Sequence, residues 1–286
     1  MKIEDIILKL REFHEPYTIN TMKSRDIVIC GDSSIECTGV GVCITATIEV
    51  LKKAVENHVN LIITHESIFY GSSPNSLDFS DDPVYLYKLN YIKEHNLVIY
   101  RDHDRLHGMG EPFNPIRYNP DYIFYGISKE LNWDDYIVGD KLKPLHFKLP
   151  VMKGYELANY LIDKFGLKGL RILGDLNTDV SNVFFCEHID GRERDVKRTL
   201  IAKDADAIIP LEIVDYTLTQ YVHDSNALKM PKLLLEMGHF NCEQLGMKYM
   251  VKWLEELLVN KRVYRLLQHN CFANRHICLK QKLFLE

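Results

Sequence analysis

Apolar positions along the chain switch between two periods. Ile3, Ile6, Ile7, Leu10 and Phe13 recur at helical spacing, so the chain opens with an amphipathic helix. Ile27 to Cys30 and Val40 to Thr45 read as short strands. Thr47 then caps a helix reaching about Val59, with Glu49 in its first turn. Asn60 to Thr64 is a continuous apolar run, the mark of a strand covered on both faces of a parallel sheet. Pro83 starts a helix that ends near His95, Leu97 to Tyr100 is a second buried strand, and Tyr122 to Leu131 is helical.

Asp134 to Lys153 carries charges and two prolines, Pro144 and Pro150, and reads as a connecting region. Beyond it the alternation resumes. Helices are predicted over Tyr155 to Phe165, with Gly166 as cap, and over Arg192 to Lys203, Val214 to Ala227 and Glu243 to Leu258. Strands are predicted at Asn182 to Cys186, Ala207 to Pro210 and Leu233 to Glu236. The fold class is therefore α/β, with sheets covered by helices. The halves are a first over 1–133 and a second over 154–286, joined by 134–153.

The two halves resemble each other. Val59 to Glu66 aligns with Ala205 to Glu212, and in each half the next strand runs into a histidine followed by a polar residue four places on: His103 and His107, then His239 and Glu243. Two matches in one order point to a duplicated unit of about 100 residues.

Ligands of open α/β sheets collect at the carboxyl ends of the strands. His65-Glu66, His103 to His107, and His239 to Glu243 all lie just past buried strands. Residues four apart project to one side of a helix or turn. Imidazoles with carboxylates and no thiolate suit zinc, iron, manganese or nickel. Taken singly, each cluster is explained as well by a solvated turn or a helix start. Three clusters at equivalent strand ends favour a metal centre. His188 is a weaker candidate, and His14, His58, His95, His146, His223, His269 and His276 read as structural or surface groups.

Composition narrows the function. Thirty-five basic against forty acidic side chains give a net charge of −5, which disfavours a nucleic-acid track. The seven cysteines form no Cys-x-x-Cys pair and fit a reducing interior. Charges throughout residues 1–13 exclude a signal peptide there, and no run reaches the roughly 18 apolar residues of a membrane helix. The expected location is the cytoplasm, without membrane partners. There is neither a phosphate-binding glycine fingerprint nor a Gly-x-Ser-x-Gly elbow.

Three segments carry a family resemblance: Ile44 to Val50, Asn60 to Tyr70 with its Thr-His-Glu, and Gly238-His239-Phe240-Asn241-Cys242-Glu243. In this order they resemble the NIF-three-like family, from the first helix to about Leu267, leaving the tail 268–286 outside. Family members usually have Thr-His-His where this chain has His65-Glu66, and an aspartate where it has His107. One imidazole and one carboxylate have exchanged places, as in a divergent branch. The resemblance implies a homohexamer and two divalent ions per subunit (zinc, iron or manganese). By matching positions their ligands are His65, Glu66, His107, His239 and Glu243, with His103 beside them. It also implies a metal-dependent hydrolase of a small nucleotide or phosphoester, akin to the members named GTP cyclohydrolase type two. In that reading His103 or Asp102 is the general base. The competing expectation is a metal-binding regulatory oligomer without turnover.

Overall fold

The structure is a computed structural model, and it describes residues 1–14, 24–71, 79, 81–108, 119–192, 195, 197–199, 203–258 and 262–266. The chain divides into two units. Among the described residues, one comprises those within 1–132, 140–144 and 243–266, the other those within 133–139 and 145–242.

The first unit starts with α1 (Ile3–Phe13), which buries Ile3, Ile6, Ile7 and Leu10. Its five-stranded sheet has the order β1-β4-β3-β2-β13, with β1 Val28–Cys30, β2 Val40–Cys43, β3 Leu61–Thr64, β4 Val98–Arg101 and β13 Val263–Arg265. All neighbours are parallel except β1, which runs antiparallel to β4. Strands β2, β3 and β4 are buried along their whole length, as their unbroken apolar runs require. Helix α2 (Ile48–Glu56) crosses from β2 to β3, and α3 (Pro83–Glu94) crosses from β3 to β4. Thr47 caps α2 by accepting from the Val50 N–H, and Asp82 caps α3 by accepting from Val84 and Tyr85, with Pro83 pre-set for the first turn. Helix α4 (Tyr122–Glu130) follows, capped by Asp121.

The second unit repeats this order. After α5 (Gly154–Phe165) come β7 (Arg171–Leu173), β8 (Asp179–Phe185), β10 (Ala207–Ile209), α6 (Gln220–Ala227) and β12 (Leu233–Glu236). Its six-stranded sheet has the order β5-β6-β8-β10-β12-β7, with β5 Ile137–Val138 and β6 His146–Lys153. Strands β8, β10 and β12 are parallel, and β7 is antiparallel to β12. A separate two-stranded parallel pair joins β9 (His188–Ile189) to β11 (Glu212–Ile213). Helix α7 (His239–Leu257) belongs to the second unit up to Cys242 and to the first from Glu243.

Several elements depart from the pattern-based expectation. The connecting region holds β6, an eight-residue strand. Pro150 sits where the pairing of β6 with β8 is irregular, between Lys148 and Met152, a place where a proline costs no ladder bond. The helix expected over 214–227 is interrupted. Asp215–Thr219 forms a π-helical turn in which Thr217 leaves helical geometry at φ −113°, ψ −120°, and only Gln220–Ala227 is α-helical. Helix α7 starts four residues earlier than its apolar stripe suggested, at His239. The helix expected over 192–203 is only partly within the described residues, and the tail 268–286, with His269 and His276, lies outside them.

Candidate metal centre

In the first unit, polar side chains gather past the ends of β3 and β4. Two backbone bonds extend the β2–β3 pairing by two residues: His65 N–H to the Cys43 carbonyl at 3.1 Å and Glu66 N–H to the Ile44 carbonyl at 2.7 Å. The Thr64 hydroxyl adds contacts to the Ile44 and Glu66 carbonyls. The imidazole of His65 is thus fixed at a fully buried strand end.

The turn after β4 is organised by a residue the sequence did not single out. Asp26 is buried, and its carboxylate accepts the backbone N–H groups of His103, Asp104 and Arg105 at 2.7, 2.8 and 3.1 Å, plus the Arg105 guanidinium at 3.1 Å. Burial, then the nearby Asp102 charge, raise the Asp26 pKa, and the backbone donors oppose that. His107 N–H bonds the His103 carbonyl, so these two rings lie one turn apart on one side.

Three imidazoles meet here with their Nδ1 atoms engaged. His65 Nδ1 lies 3.2 Å from the Asp102 carbonyl, His103 Nδ1 lies 3.2 Å from Asp104, and His107 Nδ1 lies 3.2 Å from Asp121. A partner on one ring nitrogen fixes the ring and leaves the other nitrogen for an ion. The Nε2 atoms of His65 and His107 are 3.1 Å apart. Glu243, fully buried on α7, comes within 3.3 Å of His65 Nε2 and 3.8 Å of His107 Nε2. An ion with bonds of ~2.0–2.1 Å to nitrogen holds neighbouring donors ~2.9–3.4 Å apart in six- or four-coordinate geometry. The His65–His107 and His65–Glu243 separations fall in that range, and the His107–Glu243 separation, to the other carboxylate oxygen, is wider at 3.8 Å.

Glu66 and His103 stand at the edge of this group. His103 Nε2 is 3.5 Å from Glu66 Oε1, and the His65 and His103 rings stack at 4.4 Å and 6°. Arg101, buried, reaches Glu66 Oε2 at 2.6 Å and the His65 carbonyl at 3.1 Å. Burial alone would raise the Glu66 carboxyl. The His103 hydrogen bond, with the charges of His65, His103 and Arg101, outweighs it and holds Glu66 well below the usual range. Asp104 is lowered in the same way: burial opposes, but bonds from His103 and Arg25 prevail. Asp102, the other candidate base, is buried with its carboxylate directed at His14 (3.4 Å); what it offers His65 is its backbone carbonyl.

His239 falls in a different group. In the second unit its Nδ1 lies 2.8 Å from Glu212 Oε2, and His188 Nδ1 lies 2.8 Å from Glu212 Oε1. Bonds from His188 and His239 draw the Glu212 carboxyl down to about 2 against its partial burial. The structure therefore brings together His65, Glu66, His103, His107 and Glu243, and places His239 with His188 and Glu212. Of the supporting residues, Asp121 and Asp26 were not singled out by the sequence, and Glu212 appeared only through the internal repeat.

The chain is similar to known proteins in sequence and in fold. Residues 1–106 match the Duf34/NIF3 (NGG1p interacting factor 3) family. The chain is similar to that family over this part of its length. Its similarity extends over 90% of its length to a Clostridium acetobutylicum protein named GTP cyclohydrolase 1 type 2 homolog, at 22% identity and covering 91% of that protein. The crystal structure of the Staphylococcus aureus hypothetical protein SA1388 shares the fold at a TM-score of 0.68 and 16% identity, covering 97% of this chain and 99% of that one. A Bacillus cereus protein related to NIF3 shares it at 0.66 and 15%, covering 95% and 98%. Among the described residues no helix of this chain is long and apolar enough to cross a membrane.

Proposed function

We propose that this NIF3-like chain is a metal-dependent hydrolase of a small anionic molecule, a nucleotide or another phosphoester. The observation that carries the reading is the convergence of the anchored His65 and His107 rings on the buried Glu243 carboxylate. A zinc, iron or manganese ion held by those three side chains would lower the pKa of bound water toward neutrality. His103 is the candidate general base at the edge of the centre: Asp104 holds its Nδ1, and its Nε2, now beside Glu66 and Arg25, could accept a proton once released from them. Glu66, kept ionised by His103 and Arg101, holds that imidazole in place. The cleft lined by Arg25, Ile27, Ile29, Ser67, Phe69 and Arg101 has room for about one water molecule, and its two guanidinium groups are bonded to Asp104 and Glu66. The substrate class comes from the name of the Clostridium relative.

Two ions per chain and a hexamer belong to this proposal. Elemental analysis of untagged protein, with mass photometry for the assembly, measures both. Turnover is sought with nucleotides and phosphoesters in the presence of each metal. His65→Ala is expected to lose metal and at least about 100-fold in rate, the scale on which catalytic ions and bases act. Equal turnover in His65→Ala, or no metal uptake when zinc, iron and manganese are offered, would sink the reading. A second reading, a metal-binding oligomer without turnover, is favoured by the complete burial of His65 and Glu243. It predicts metal binding with no substrate in the panel consumed.

A further inference from the structure

The segment that begins with His65 and Glu66 is held by side chains rather than by a neighbouring strand. Four successive carbonyls face donors from four places in the first unit. Arg101 Nε on β4 donates to His65 at 3.1 Å, and the Thr64 hydroxyl at the end of β3 lies 3.0 Å from the Glu66 carbonyl. The Thr45 hydroxyl, just past β2, donates to Ser67 at 2.9 Å, and the Lys88 ammonium on α3 donates to Ile68 at 2.6 Å. Two residues on, Tyr70 has a φ of +54°, which puts a bulky side chain in the left-handed region. Such a backbone persists only where its surroundings fix it, and it clusters at functional sites. Lys88 is the costly member of the four. It is 4% exposed, and with Ile92 it forms the buried side of α3. The Phe69 and Tyr70 rings lie 5.7 and 5.8 Å from its ammonium, and the Cys30 and Cys43 thiols face it. Among the described residues it pairs with no carboxylate. Lysine is almost never buried without a partner charge, because a desolvated ammonium is penalised. A methionine would fill the same space without that penalty. What the ammonium adds is a charge-assisted bond to one carbonyl, two residues beyond Glu66.

We infer that Lys88 is a positioning residue of the proposed centre: bonded to the Ile68 carbonyl, it holds the segment that presents His65 and Glu66. The inference rests on the reading of those two residues as ligands. It goes beyond that reading by giving a task to a side chain outside the donor set. Thr45 supports the same segment one residue earlier. A lysine that served the fold alone would add stability, whereas a buried, unpaired ammonium takes stability away. Removing it relieves the buried charge and at the same time frees the Ile68 carbonyl. Stability and metal affinity are therefore expected to move in opposite directions.

The test uses untagged, metal-free full-length protein, with cobalt(II) as the probe. Lys88→Met keeps the stem and removes the donor. Thr45→Val removes the neighbouring donor at nearly constant shape, and Thr45→Ser restores it. Circular dichroism melts establish that each variant is folded, and Lys88→Leu replaces Lys88→Met if that variant is not. The His65 and Glu66 amides bond the Cys43 and Ile44 carbonyls. In Lys88→Met their deuterium exchange is expected to speed up without a matching change in β3. Affinity for the cobalt equivalent that His65→Ala abolishes, read by competition with a chelator, is expected to fall about 10–100-fold, the scale for loss of an outer partner. Its visible absorption bands should shift, with no loss of thermal stability. Thr45→Val is expected to act in the same direction, and Thr45→Ser to bind as the wild type does. Unchanged exchange and affinity in folded Lys88→Met would overturn the inference. So would exchange that speeds up evenly across β3 and this segment with a lower melting temperature, which a purely structural lysine predicts. A wild type with no cobalt equivalent dependent on His65 would overturn the proposed centre instead, and the exchange measurement, made without metal, still decides whether Lys88 holds the segment.

Discussion

The two units are variations on one scaffold. In sheet order, the first reads β1-β4-β3-β2 and the second β7-β12-β10-β8, the same permutation of four strands taken in chain order. Both put an antiparallel edge strand beside the last of three parallel ones. Their strand ends nevertheless differ in enclosure. The first unit buries His65, Asp26, Asp102, Arg101 and Glu243, and supports its rings through hydrogen bonds to groups that are themselves held. The second leaves His188, Glu212 and His239 half-exposed, aligned by the register of two-residue strands. The scaffold therefore determines where donors gather, while the packing around them determines how rigidly they are held.

The largest expected effect is at Asp26, which has no counterpart in the supports seen around Glu212. Asp26→Ala leaves three buried backbone N–H groups and the Arg105 guanidinium without their acceptor. Loss of one partner from a buried, charged network costs about 3–5 kcal/mol. Urea unfolding should show that loss, with weaker metal binding because His103 and His107 ride on the turn that Asp26 holds. A loss below about 1 kcal/mol would mean that the turn is held by something else, and the contrast in rigidity would fail.

Next comes the approach of α7 to α4 inside the first unit. A Cβ on Gly246 would lie 2.6 Å from the Ile123 carbonyl oxygen and 2.7 Å from its Cα, both backbone atoms that cannot turn aside. Gly246→Ala should destabilise by about 1–3 kcal/mol, the usual cost of overpacking. It should also weaken metal uptake at the proposed centre, because Glu243 lies less than one turn away on α7. Unchanged metal uptake in a destabilised variant would show that this approach does not position Glu243.

Much of this was legible in the chain. The apolar runs ending at Thr64 and Tyr100 marked β3 and β4, and the chemistry just past them gave His65, Glu66, His103 and His107. Glu243 was reachable through its i,i+4 relation to His239. What stayed hidden was set by tertiary register. Strands of two residues, such as β9 and β11, are too short to show alternation, so nothing linked His188 to Glu212 across 24 positions. Asp26 precedes a three-residue strand with no pattern of its own. The prolines and charges of 134–153 masked β6, although Phe147 and Leu149 alternate with exposed Lys148 and Pro150.

Lysine supplies a third contrast, smaller and of opposite sign. Lys88 is buried in the first unit with its ammonium on the Ile68 carbonyl at 2.6 Å, and burial pulls its pKa from 10.5 down to about 8. Lys232 in the second unit donates to the Ala205 carbonyl at 2.7 Å and is lowered too, again by burial. For Lys88 the folded pKa lies below the unfolded one. Under pH 8 both states carry the proton and the full burial penalty is present. Between about 8 and 10.5 only the unfolded state keeps it, so stability rises with pH. Lys88→Met should therefore stabilise the first unit near neutrality by about 2 kcal/mol and flatten the alkaline rise. Thermal melts from pH 7 to 10 measure both. A destabilised variant would show that the bond to Ile68 outweighs the cost of burying the charge.

The smallest effect is expected where the second unit resembles the first only on paper. Arg171 on β7 bonds Asp215 at 2.6 Å and Glu236 at 3.1 Å, much as Arg101 on β4 bonds Glu66. The surroundings differ: the Arg171 side chain is 53% exposed, against 3% for Arg101. Exposed pairs are screened by water and lose side-chain entropy when they form, so they contribute about 0–1 kcal/mol. Arg171→Met should change stability by less than about 0.5 kcal/mol, and 1 M salt, which shortens screening to about 3 Å, should erase even that. Arg101→Met leaves the Glu66 carboxylate short of a buried counter-charge and should remain costly at any salt concentration. Equal effects in the two variants would show that enclosure does not separate the two units, and would break the comparison at the point where the bonding geometry is most alike.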